Sequence, residues 1–538
     1  MAKIKEPKTI SVVSIPLLHV EPWQKDDILK RMELGRKMYN SALSVTLKKM
    51  HVMERTKRWR ENEQRSATIY EKYREMAEQD KSSGKYSKDE LKARKEAAEK
   101  ERKKELKECF DEKNAILMEY GFSEFGINGL LVGENAKINF SPANISTNMA
   151  SLSIAKPLWA AFSNRYFPKK LSKDGELPVP SFKKASERMS LMSNGKSGMR
   201  LKEEDGKLWL ILSNTRQTKR VVKIPINYSD LNVYEKEALS NPIKILTLQA
   251  EDIGKKTVFK LGVSYAGLAP IKYTKDGELK HVFNKKGKVG IAIWKDTICA
   301  VSDNEVYIES LEIPEHDVYE EEKKSLHQQM DALKRLHNPD NFEEDGTVKK
   351  GIIGPNGKRE RLKWTFSNHY KDLAIQVKEL YRKERVKKEL RHWIIVNHIL
   401  EMGNEFYVTE TEFTTQKEEF DEDDRKTNAE YRKKKKKRKA IMAAAPYSFL
   451  TKLNNKAVAN FGTGINKISI PESEYWYSHE YNTSREEALS NLYIKVEGQT
   501  ILQTAYRAFL ITRRNKNKYD LSACQKDFDT FVKNYKKC

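Results

Sequence analysis

The sequence predicts a multidomain α/β protein in which a mixed sheet flanked by helices is joined to a small β-barrel and a helical lobe. Three observations predict it. The stretch VGIAIWKDTICAVSDNEV, residues 289–306, alternates like a buried strand, turns, and continues as a second strand. From residue 177 the texture is one of short alternating runs, PVPSF, LWLILSN, VVKIPI, IKILTLQ and TVFKLGVSY, separated by Gly and Asp turns. Residues 51–120 are instead dense in charge, with opposite signs four residues apart, as in long exposed helices.

Taken in order, residues 1–22 carry the alternating run TISVVSIPLLHVE, which predicts the first strand of the barrel. A helical lobe spans 23–176. It opens with an amphipathic helix from Trp23 to Met50 and continues into the charge-dense segment, read as a helical hairpin in preference to a coiled-coil dimer because apolar a/d positions are sparse. It closes with a helix packing Leu158, Trp159 and Phe162. The barrel strands occupy 177–285. In 286–413 the strand pair is followed by a helix from Tyr319 that ends at Asn338-Pro339. A long helix follows over 367–402, whose apolar positions Leu373, Val377, Leu380, Val386, Leu390, Ile394 and Ile395 keep roughly helical spacing. Residues 414–445 form a charged insertion, acidic in EEFDEDDRK and basic in YRKKKKKRK.

The chain carries 101 Lys and Arg against 77 Asp and Glu among 538 residues, a net charge of +24. That excess fits a polyanionic partner bound through phosphate neutralisation, although a charged surface also keeps a protein dispersed. No apolar run approaches the roughly 18–20 residues of a membrane helix, and no signal peptide is evident, which predicts a cytoplasmic, nucleoid-associated protein without a membrane partner. The four cysteines, Cys109, Cys299, Cys524 and Cys538, show no C-x-x-C spacing. Neither a zinc site nor a disulfide framework is expected, and no metal or other cofactor.

Five motifs point to a family: GIAIW…AVSDNEV, RERLKWTFSNHYKDL from Arg359, GNEFYV from Gly403, PYSFLTKLNNKA from Pro446, and AYRAFLI from Ala505. Residues 280–512 resemble TnpB, the RNA-guided nuclease carried by insertion sequences and related to type V CRISPR effectors. The resemblance implies a RuvC (RNase-H-like) core divided over 286–413, 446–474 and 499–512. It makes 1–22 and 177–285 a wedge β-barrel, 23–176 a recognition lobe, 475–498 a vestigial finger without zinc ligands (His479 is alone there), and 513–538 a basic tail.

In such a core three acids, Asp, Glu and Asp, hold the metal ions. The first falls on Ala292 (with Trp294 where a glycine is usual), the second on Thr409 after Phe406-Tyr407-Val408, and the third on Thr504, with Gln503 as the alternative. Mg²⁺ needs oxygen ligands and two-ion catalysis needs carboxylates. A methyl supplies none, and a threonine one weak neutral oxygen. The resemblance thus implies a degraded active site with no catalytic residue. The expected activity is guided, sequence-specific DNA binding without cleavage, used as transcriptional repression. Two alternatives stand beside it. One is an active nuclease with carboxylates displaced to Glu410 or Asp296, although adjacent strand residues point to opposite faces. The other is a non-guided RNA- or DNA-binding structural protein.

The implied partners are a guide RNA and double-stranded target DNA with a short flanking motif, and the sequence leaves monomer or dimer open. Candidate nucleic-acid contacts are Lys433, Lys434, Lys435, Lys436 and Lys437 in the basic run, Arg359 and Arg361, Lys334 and Arg335, and Tyr39 and Asn40. The basic run reads equally as a solvated loop, and Tyr39 and Asn40 equally as helix packing. Trp364 either stacks or packs in the core, and His369 and His398 read as packing or surface residues.

Overall fold

The computed structural model of the chain describes residues 10–83, 87–132, 145–167, 179–215, 220–270, 272–274, 276–351, 362–409, 440–468, 492–515 and 518–538. These fall into two compact units, residues 1–251 with 257–267, and residues 252–256 with 268–538. No helix among the described residues is long and apolar enough to cross a membrane.

In the first unit β1 (Ile10–Leu17) alternates strictly, burying Ser11, Val13, Ile15 and Leu17. It pairs antiparallel with β7 (Lys256–Ala266), which lies beside β6 (Ile243–Ile253) and β2 (Leu191–Ser193), giving the order β1-β7-β6-β2. A second sheet joins β3 (Met199–Glu204), β4 (Lys207–Leu212) and β5 (Val222–Ile226). The expected closed barrel is therefore corrected to two open sheets around one core, where Ile15, Leu210, Ile224, Leu246 and Leu261 are fully buried. The chain passes from one sheet to the other after β2, which is three residues long and pairs only with β6. The Ser193 hydroxyl lies 2.7 Å from both the Ser197 and the Met199 carbonyls and fastens that passage.

The helical part of this unit begins with α1 (Pro22–Glu54), started by Pro22 at its first position and by a capping box between Glu21 and Gln24. Helices α2 (Lys57–Ser82) and α3 (Lys88–Glu119), capped by Thr56 and Ser87, form a hairpin. It is laced by Arg58–Glu112, Arg65–Glu108, Lys72–Glu105 and Arg94–Asp80 pairs. Met38, Leu43 and Met53 of α1 bury against Ile116 and Leu117 of α3, Ile127 of α4 (Glu124–Leu131), and Leu158 and Phe162 of α5 (Lys156–Tyr166). A short helix α6 (Val233–Leu239) packs its Ala238 on the strands.

The second unit is built on a mixed sheet of β8 (Lys288–Trp294), β9 (Thr297–Val301), β10 (Val306–Ser310), β11 (Glu405–Thr409) and β12 (Asn466–Ile468), in the order β10-β9-β8-β11-β12. The first three strands are antiparallel, β11 runs parallel to β8, and β12 parallel to β11. Strand alternation divides β8 between two helix layers. Val289, Ile291 and Ile293 face α8 (Asn368–Met402) and α9 (Pro446–Phe461). Ala292 faces α10 (Gln503–Thr512) and α11 (Leu521–Tyr535). Helix α7 (His316–His337) packs on α8, and β13 (Tyr493–Val496) with β14 (Gln499–Leu502) makes a hairpin before α10.

Candidate active-site region and nucleic-acid contacts

Of the three positions at which the resemblance expects acids, Ala292 and Thr504 lie on one side of the mixed sheet, and Thr409 ends β11. Ala292 lies mid-strand in β8. The β8–β11 register pairs Ile291 with Val408, so one further step sets Thr409 beside Ala292. Thr504 lies in the first turn of α10, which crosses β8, β9 and β11. The helix rides directly on the strand at Gly290, where a Cβ would sit 2.0 Å from the Ala508 carbonyl oxygen. Glycine is required there for packing, because any side chain would lift α10 off the sheet.

The resulting environment is apolar and closed. Ala292 is 2% exposed and Thr504 3% exposed. Ala292 belongs to one cluster with Cys299, Val301, Ile501, Ala505, Tyr506 and Phe509, onto which Phe528 and Phe531 of α11 pack. Trp294, half-buried, ends β8 on the Ala292 side of the strand, opposite Thr297. Gln503 is also buried, and its N–H donates to the Leu492 carbonyl at 3.0 Å.

Among the described residues, Asp296, Asp303 and Asp527 beside this sheet are engaged elsewhere. Asp296 accepts from the Ser310 hydroxyl at 3.1 Å, in the turn where Lys295 adopts φ 54°. Asp303 and Asp527 both hold Arg513, at 2.8 and 3.2 Å, and the guanidinium lies 4.4 Å from the Phe509 ring centroid. Glu410 lies outside the described residues.

Among the described residues the cluster with the composition and closeness of a metal site is His316, Glu320 and Glu384, on α7 and α8. A cation of the chain's own already occupies it. The Lys323 ammonium donates to Glu384 at 2.9 Å and to Glu320, and its charge lies 4.5 Å from the Tyr381 ring centroid. His316 Nδ1 is 2.9 Å from Glu384. Burial pushes the Glu384 carboxyl up, but Lys323 and His316 outweigh it and hold the group below its ordinary range. The cluster is a buried ion network clamping α7 to α8. The four cysteines form no disulfide.

Of the predicted nucleic-acid contacts, Lys433 to Lys437, Arg359 and Arg361 lie outside the described residues. Lys334 sits 4.2 Å from the Trp364 ring centroid, and Arg335 is 5.8 Å from that of Phe342; the two rings meet edge to face. Trp364 is thus half-buried beneath a lysine. Tyr39 is buried in the helical core with Lys183 5.0 Å from its ring centroid, and burial raises its hydroxyl pKa. The Asn40 amide both donates to and accepts from the Lys183 backbone, at 2.9 Å each way. Both residues fasten the 183 segment to α1. His398 pairs with Glu305 at 2.7 Å and stacks on Tyr307 at 4.0 Å.

Sequence reasoning missed a group between α8 and α9. His392 is fully buried, and its Nε2–H donates to the Ala444 carbonyl at 3.0 Å. Its Nδ1 faces the Lys452 ammonium at 3.4 Å, so the ring is the neutral tautomer protonated on Nε2. Burial, then the Lys452 charge, push its pKa down to about 4. One turn on, Lys456 donates to Asn397, and burial pushes its pKa down to about 8. The available signal was a pair of lysines four apart in PYSFLTKLNNKA, each one residue before a core position, Leu453 and Ala457.

No family model matches the sequence, and no curated protein matches it. Solved structures that it resembles include a chain of a Cas12f1–sgRNA–target DNA complex, with TM-score 0.41 and 12% identity over 90% of this chain and 83% of that one. Another is a chain of a CRISPR-Cas12f ternary complex, with TM-score 0.24 and 12% identity over 70% of this chain and 71% of that one. These scores mark a loose likeness, and the functional reading rests on the chain's own geometry.

Proposed function

We propose that the chain is a TnpB-like, RNA-guided DNA-binding protein whose RuvC-like centre does not cut. The sheet supports the scaffold. Three antiparallel strands with the first one central, extended by two parallel strands, is the arrangement of an RNase-H-like core. Ala292 and Thr504 lie on one side of the sheet, where the resemblance would have carboxylates hold two ions. The observation that carries the reading is that Ala292 and Thr504, at two of the expected acid positions, are uncharged and buried, 2% and 3% exposed, with Ala292 inside an apolar cluster. A metal centre needs charged oxygen ligands, and among the described residues these positions offer a methyl at Ala292 and only neutral oxygens at Thr504 and Gln503.

Binding would divide as in guided effectors: base pairing reads sequence, while the protein grips backbones and reads a short flanking motif. The net charge of +24 suits that task. Bound at a promoter, such a complex would block polymerase and repress transcription.

The test pairs binding with cleavage. Chromatin immunoprecipitation with two guides that differ only in their variable end should move occupancy from one set of loci to the other. Labelled guide-matched DNA should stay intact in Mg²⁺ or Mn²⁺. Unmoved occupancy would replace the guided reading with a conventional DNA-binding protein, and metal-dependent cutting would reject the loss of the nuclease.

A further inference from the structure

We infer that Lys452 and Lys456, with Trp393 beside them, form a seat for backbone phosphates of a bound nucleic acid. The inference rests on the nucleic-acid-binding reading above and gives it a location. Both lysines lie on α9 at i and i+4, so their side chains rise from one face a turn apart. The apolar stripe of α9, Phe449, Leu453 and Ala457, is buried against the sheet, and the lysines border it.

Neither ammonium makes an ion pair among the described residues. Lys452 faces an imidazole nitrogen, which offers no charge. Lys456 meets the Asn397 amide oxygen and two aromatic rings, with the Phe283 centroid at 5.2 Å and the Trp393 centroid at 5.8 Å. The carboxylates within electrostatic range are Glu389 for Lys452 and Glu401 for Lys456. Glu401 is bound to His281 at 2.9 Å. Further positive charge gathers nearby: Lys388 disfavours the charged form of Lys452, and Lys272 that of Lys456.

Cations held half out of water beside like charges destabilise a fold. Lysines that only cover a core edge extend their ammonium groups into solvent, and these two do not. The arrangement is relieved by an anion that touches both groups. A phosphodiester strand supplies such charges in series, and Trp393, 39% exposed, presents an aromatic surface for a base.

The experiment measures the affinity of the full-length protein for a labelled single-stranded RNA across a salt series, together with its melting temperature. For the double variant Lys452→Met, Lys456→Met, two lost phosphate contacts should reduce the slope of log K against log salt by about 1.4. The melting temperature should hold or rise, because desolvated charges are gone. Lys452→Arg, Lys456→Arg should keep the slope. An unchanged slope in the methionine variant overturns the seat and leaves nucleic-acid binding standing. A lower melting temperature with an unchanged slope assigns the lysines to structure alone. Failure of the unaltered protein to bind RNA overturns the seat and the broader reading together.

Discussion

The two faces of the mixed sheet are both covered by helices, yet they partner their buried charges differently. On the α10 face, where a nuclease would concentrate carboxylates, Ala292 packs with Tyr506, Phe509 and Phe528 as an ordinary apolar core. On the α8–α9 face the apolar core is equally complete around Val289, Ile291 and Phe449. There His392, Lys452 and Lys456 are nevertheless kept at its margin, with burial lowering the pKa of each. On the α10 face the buried Arg513 is paired with Asp303 and Asp527, whereas on the α8–α9 face Lys452 and Lys456 meet an imidazole nitrogen and an amide oxygen instead of a carboxylate. The difference is what a protein that binds nucleic acid without cleaving it should show.

The largest effect should come from forcing a charge back into the first face. Ala292→Asp places a carboxylate in the core shared with Tyr506 and Phe509, opposite Cys299, which lies within electrostatic range of the buried Arg507; burying a charge there costs up to about 3–5 kcal/mol, less whatever Arg507 returns. Chemical denaturation should register that loss, with no gain of cleavage from this substitution alone. A stability within about 1 kcal/mol of the parent protein would mean that the face opens readily to solvent, and the contrast between the faces would fail.

The second effect tests the opposite face through pH. His392 is neutral when folded, with a pKa of about 4, whereas an unfolded histidine titrates near 6.5. Between those values the unfolded chain takes up a proton that the folded chain refuses. The contribution is therefore whole above about pH 6.5, falls as the pH drops, and levels off below about pH 4 after a loss on the order of 3 kcal/mol. Unfolding curves of the parent and His392→Gln, subtracted at each pH, should show this slope. A flat difference between pH 4 and 6.5 would place the imidazole in water.

Much of this contrast was legible in sequence, and the exceptions share a cause. The β8–β9 pair and the uncharged residues at 292, 409 and 504 follow from alternation and local motif, which depend on a few neighbouring residues, whereas the need for glycine at 290 shows only once α10 lies on the strand. The long α8 was legible in extent but not in phase. Leu373, Val377, Leu380 and Ile395 are buried as expected, whereas Val386, Leu390 and Ile394 are 44%, 60% and 57% exposed. The inward positions between them belong to Glu384 and His392, because Lys323 and Ala444 provide their polar partners from other segments. A hydrophobicity pattern cannot register a buried carboxylate whose cation lies 61 residues away. The open sheets are likewise a matter of which strands pair across long sequence separations, as β1 does with β7, and alternation within one strand does not report that.

The smallest effect should be Thr504→Val, and it bears directly on whether the first face is idle. Thr504 is 3% exposed at the start of α10, on the side of the sheet shared with Ala292. Valine keeps its shape and exchanges the hydroxyl for a methyl, so the change in stability is limited to about one hydrogen bond, roughly 1 kcal/mol in either direction. If the residue is only core, guided DNA occupancy and RNA affinity should both match the parent protein. If the hydroxyl takes part in residual metal or phosphate chemistry, the substitution would disturb nucleic-acid binding far more than it disturbs folding. Measuring RNA affinity and melting temperature on the same preparation separates these outcomes. A tenfold loss of affinity at constant melting temperature would show that the face opposite Lys452 and Lys456 still meets the ligand, and the division of roles between the two sides of the sheet would have to be redrawn.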